Sequence, residues 1–187
     1  MSNVNDVLNS IDNDVAYYNP SEDTAGTKQF VPIKEGVYEA SVFKLTIKKN
    51  IIVKNQYLSD IFEAIYVIDG DKHPEYKDRQ IKSKGYFRFK NPDKEKYPKL
   101  EDNQGNNKGY MIFTEACGFE MTKDDTGKYL LPMIMESDIA GNPVTIKVVH
   151  DKWTDSEGET RTTPLAVSVF KSKRVVTKPL KEDELPF

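Results

Sequence analysis

Residues 80–91 read QIKSKGYFRFKN, a run in which small or apolar residues alternate with charged or polar ones. Successive side chains of a β-strand point to opposite faces. Ile81, Ser83, Gly85, Phe87 and Phe89 are therefore expected on one side, and Lys82, Lys84, Tyr86, Arg88 and Lys90 on the other. The first set reads as a core face. The second is a cationic stripe with one ring in its middle, its charges spaced about 6.6–6.8 Å apart along the strand. Gly85 either bends the strand, as a barrel strand needs, or is merely tolerated.

Outward from this run the signal is mostly β. Residues 36–48, 57–68, 79–90, 143–150 and 163–173 are rich in Val, Ile, Tyr, Phe and Thr and are divided by Gly, Asn, Asp and Pro clusters. KYLLPMIM (128–135) gives a weaker sixth signal. YLSDIFEAIYVI (57–68) also suits a helix through Leu58, Ile61, Phe62, Ile65 and Ile68. Its β-branched and aromatic content, closed by the turn DGD, favours a strand. One helix is expected in NKGYMIFTEACGF, with Tyr110, Phe113 and Cys117 on one face and Gly118 as its stop. Three strands, a short helix between strands 3 and 4, then two strands is the order of an OB-fold, a five-stranded Greek-key barrel. The chain divides into an acidic N-terminal arm with a short helix (1–27), an OB-fold domain (28–177) and an acidic C-terminal tail (178–187).

At 187 residues, 37% hydrophobic and 30% charged, with mean hydropathy −0.64, the chain suits one polar, β-rich domain. No run approaches the roughly 18 apolar residues of a membrane span. The opening residues have no basic, apolar leader, so a cytoplasmic setting is expected. Cys117 is the sole cysteine, and His73 and His150 are far apart, so neither a disulfide nor a zinc site is expected. The net charge is −3, but the acids of both ends leave residues 28–181 at +5. A mildly basic body with acidic ends is compatible with anion binding or with a plain solvated surface.

The stripe has the same two readings. It either keeps the outside of the strand wet, or it holds phosphates while Tyr86 stacks a base. Four cations at period two with a ring among them favour nucleic acid. In DKWTDSEGETR, Lys152, Trp153 and Arg161 could close over a bound strand, or Trp153 could pack beneath its own loop. Phe170 is a second candidate platform, or a cap on the barrel end. The one expected helix is apolar and acidic, unlike a major-groove reader, so single strands are preferred to duplex. DNA and RNA are not separated by any residue. No nucleophile–base pair, paired carboxylates, metal cluster or phosphate loop is visible, so no enzyme, cofactor or metal is expected.

The chain ends PLKEDELPF. Behind such a barrel, Glu182, Asp183, Glu184, Leu185, Pro186 and Phe187 resemble the acidic-aromatic terminus of bacterial single-stranded DNA-binding proteins. The body, through FVPIKEGVYEASV, YLSDIFEAIYVIDG and KDRQIKSKGYFRF, is similar to bacteriophage OB-fold single-stranded DNA-binding proteins with a P-x-x-x-G-x-Y-x-A opening, over residues 28–175. The resemblance implies a non-enzymatic coat on single-stranded DNA in the host cytoplasm, acting in replication, recombination and repair. It also implies that the tail recruits partner proteins and competes with DNA for the basic groove. Bacterial relatives carry a longer linker before the tip. Homo-oligomer formation is left open, and the rival expectation is an OB-like protein-interaction adaptor in a virion or replisome.

Overall fold

The computed structural model describes residues 31–173. β1 (Gly36–Val53) and β2 (Tyr57–Ile68) come first, followed by β3 (Gln80–Ser83) and β4 (Tyr86–Phe89). α1 (Lys108–Ala116), a small hairpin of β5 (Thr122–Lys123) and β6 (Tyr129–Leu130), and the single turn α2 (Glu136–Ile139) fill the connection to β7 (Pro143–Thr154) and β8 (Thr160–Lys171). The expected N-terminal helix and the acidic tail lie outside the described residues.

Pairing passes from β1 to β2, to β3, to β8, to β7 and back to β1. All these pairs are antiparallel except β3 with β8, which run parallel with Lys82 opposite Leu165. The five strands close into a barrel in the OB-like order expected from the sequence. β4 continues β3 along β2, and its outer edge at Phe89 is met by a side chain instead of a strand. Asn107 accepts from the Phe89 amide at 2.6 Å and donates to the Phe89 carbonyl at 3.0 Å. Of the weak sixth signal, only Tyr129 and Leu130 pair.

Both terminal hairpins extend beyond their expected ends. β1 and β2 are joined by the three residues 54–56, where Lys54 and Asn55 hold φ of 52° and 56° and the Gln56 amide donates to the Val53 carbonyl at 3.0 Å. Two consecutive left-handed residues match the twist of the flanking strands, so pairing persists up to the turn. Inside, Tyr38, Ala40, Val42 and Leu45 of β1 meet Phe62, Ala64, Tyr66 and Ile68 of β2, with Ile81, Val144, Ile146, Val148, Ala166 and Val169 closing the ring. α1 covers this core with Tyr110, Phe113, Ala116 and Cys117, as the helical spacing predicts. Each large side chain so buried contributes about 1.5–3 kcal/mol. Burial also pushes the Cys117 thiol up to about 12, which leaves it protonated and unreactive at neutral pH.

Candidate nucleic-acid interface

The alternation that defines the stripe holds only as far as Ser83. Ile81 is buried opposite Tyr66, and the Ser83 hydroxyl accepts the Ala64 amide at 2.9 Å inside the barrel. Beyond that point the register changes. Lys82 faces Ile65 whereas Tyr86 faces Phe62, so the β3–β4 side carries one residue more than β2 between these pairs. Gly85 sits in the extra step with φ of +90°. A Cβ there would meet only ordinary contacts, Ile61 Cγ2 at 3.6 Å and Glu63 Cγ at 4.0 Å. Backbone conformation, not space, selects glycine.

A one-residue slip sends every later side chain to the other face. Tyr86 therefore turns inward, contrary to expectation. Its ring stacks on Phe113 at 4.1 Å and its hydroxyl lies 2.8 Å from that of Tyr66. Burial pushes both hydroxyls well above the ordinary phenol range. Arg88 and Lys90 follow it. Asp60, only 1% exposed, lies 2.6 Å from the Lys90 ammonium and 3.5 Å from the Arg88 guanidinium, and it accepts the Asn50 amide at 3.0 Å. Arg88 also donates to the Leu131 carbonyl at 3.4 Å, and Lys90 to the Asn50 side chain at 2.9 Å. Of the five stripe residues, Lys82 and Lys84 alone remain exposed on the outside.

The same slip brings Phe87 and Phe89, expected in the core, to the outer face. Their rings lie 5.9 Å apart and 12° from parallel, and Tyr57 meets Phe89 edge-on at 6.0 Å. All three are half-buried. Register extends this face across the sheet. Phe87 is opposite Ile61, which is opposite Lys48, and Lys82 is opposite Ile65, which is opposite Lys44. Lys48 is engaged by Glu63 at 2.7 Å. The result is a platform of three rings at one end, with exposed lysines on β1 and β3 beside it.

The β7–β8 hairpin departs from a cationic arm. Trp153 is 46% exposed, with its indole N–H donating to the Thr163 hydroxyl at 3.0 Å, so it is not packed beneath its loop. Arg161 is exposed but tied to Asp155 at 2.5 Å and to Glu159 at 3.5 Å, whereas Lys152 is exposed with no ion pair among the described residues. Phe170 is 48% exposed opposite Thr145, away from the Phe87 rows, and does not cap the barrel. Glu182–Phe187 fall outside the described residues. Among the described residues no group of His, Cys, Asp and Glu could hold a metal, and no helix is long and apolar enough to cross a membrane.

The sequence reading missed Tyr57, Phe87 and Phe89 as surface rings. The available signal was Gly85 itself, because a bulge there and unbroken alternation across it are physically incompatible. No protein-family model matches the chain, and no curated protein matches it.

Proposed function

We propose that this protein binds single-stranded DNA without catalysis and with little sequence preference. The observation that carries the reading is the outer row of Tyr57, Phe89 and Phe87, set on the same barrel face as Lys44 and Lys82. Half-buried rings with part of their surface open offer bases a stacking plane worth about 1–3 kcal/mol each, and neighbouring ammonium groups meet the phosphates. The nucleic-acid ligands assigned here are Tyr57, Phe87, Phe89, Lys44, Lys82 and Lys84, in place of the original stripe. Trp153 and Lys152 remain candidates on the extended hairpin. The resemblance adds a phage setting, with action in the host cytoplasm during replication and recombination. It also adds recruitment of partner proteins by Glu182–Phe187.

The test is fluorescence anisotropy of a labelled oligothymidylate against the matching duplex at moderate salt. Preferential binding of the single strand is expected, weakened by Phe87→Ala. Equal or absent signals for the two forms would replace this reading with the protein-adaptor barrel.

A further inference from the structure

The outer face has a second feature at the end remote from the rings. Where the β1–β2 register shifts between Val42 and Lys44, Phe43 is turned to the surface and stands 54% exposed. It borders an open recess of about 420 Å³ whose mostly apolar lining also includes Val67, Ser41, Gln80 and Asp78. Ser41, Val67 and Gln80 are opposite one another on β1, β2 and β3, so the recess lies on the sheet face that carries Phe87. The next row towards the rings is Lys44, Ile65 and Lys82, which sets an ammonium group on each side of β2. A concave apolar wall with one free ring, a few polar groups at its rim and cations beside it suits a flat heterocycle carried on a phosphate chain.

We propose that this recess is a second nucleobase subsite, so that one bound strand is gripped at both ends of the face. The proposal rests on the single-strand reading above. From Val67 to Tyr57 β2 covers about 33 Å. A DNA strand filling both ends needs about five or six nucleotides, inside the range of about 4–16 for one OB barrel. Between the ends, Glu63 stands on the same face and neutralises Lys48. A carboxylate there repels phosphates and directs the DNA backbone along Lys82 and Lys84. Phe43 then holds the last base, and no contact to a specific base edge is required.

The experiment compares wild type, Phe43→Ala and Phe87→Ala by anisotropy on oligothymidylates of three and of six nucleotides. It adds six-nucleotide strands that are abasic at the 5′ or the 3′ end. Phe43→Ala should weaken the longer strand by about 5- to 160-fold, the equivalent of one stacked base, and leave the shorter one unchanged, whereas Phe87→Ala weakens both. One of the two abasic strands should lose as much affinity as Phe43→Ala causes, and the variant should not weaken that strand further. Phe43 is exposed, so its variant should melt like wild type, which a thermal scan checks. Unchanged binding of the longer strand by Phe43→Ala while Phe87→Ala weakens it would overturn the subsite and keep the single-strand reading. So would a Phe43→Ala loss that persists in full on both abasic strands. Failure of wild type to bind either length would overturn both.

Discussion

Between Gln80 and Ser83 the third barrel strand buries Ile81 and Ser83 and leaves Lys82 in water. Between Tyr86 and Phe89, one bulge further on, Tyr86 and Arg88 turn in while two phenylalanines turn out. The two segments differ little in polarity pattern, yet their inward faces are stabilised in different ways. Ile81 is held by loss of apolar surface to water, which needs no particular neighbour. A phenol and a guanidinium turned inward need dedicated partners, because an unpaired buried polar group costs more than its burial returns. Tyr66 and Asp60 are those partners. The outward rings of the second segment are thus a consequence of what the inward face can satisfy.

Truncation is the largest way to sharpen this contrast. Tyr86→Ala should destabilise by about 3–5 kcal/mol, in the range for large aromatic truncations in cores. Phe87→Ala, next to it and on the outer face, should cost about 1 kcal/mol. Urea midpoints measure both, and equal losses would mean that the bulge does not reverse the faces. Alkali gives a second readout. The Tyr66 and Tyr86 hydroxyls titrate above their ordinary value when folded, so the folded state holds more protons than the unfolded one in that window. Their stabilising contribution is complete below the ordinary phenol value of 10.0 and declines as pH rises above it. Tyr86→Phe should shrink that decline.

Removing the buried carboxylate is next. Asp60→Ala should cost about 3 kcal/mol, because Arg88 and Lys90 lose their shared counter-ion. The lower end of the range applies because their side chains keep 26% and 28% exposure and recover some solvation. A loss below about 1 kcal/mol would place both cations in water and make the second segment resemble the first. Gly85→Ala comes third, at about 1–2 kcal/mol, set by the left-handed backbone at φ +90° and not by crowding. No loss in the thermal midpoint would show that the bulge can relax to regular pairing.

These effects also mark what the sequence could reveal. Strand positions, their order and the helix with Tyr110, Phe113 and Cys117 follow from composition and period, because burial of apolar area is non-directional and survives small errors of register. The identity of the outer face does not survive them. It depends on whether an even or an odd number of paired β2 positions separates the partners of Ile81 and Phe87, and one bulge at a left-handed glycine changes that parity. Phe43, by contrast, follows plain alternation from buried Val42, and the register shift beside it is what puts Lys44 on the outer face as well. Nor does sequence spacing reveal that Asp60 would meet Arg88 and Lys90, which lie about thirty positions away along the chain but on or just past the neighbouring strand β4.

The smallest effect separates the two segments by charge alone. On the proposed reading Lys82 meets a phosphate, so Lys82→Ala should reduce the slope of log affinity against log salt by about 0.7, one released counter-ion on single-stranded nucleic acid. Arg88→Gln should leave the slope unchanged, because its guanidinium already faces Asp60 and the Leu131 carbonyl. Affinity at one salt concentration does not distinguish the two, since a change at Arg88 can shift β4 and with it the rings of Phe87 and Phe89. The slope counts displaced ions and is insensitive to ring position, so a decrease of similar size for Arg88→Gln would mean that Arg88 swings outward when DNA binds. The inward and outward faces of the second segment would then exchange on binding, and the comparison with the first would hold only for the free protein.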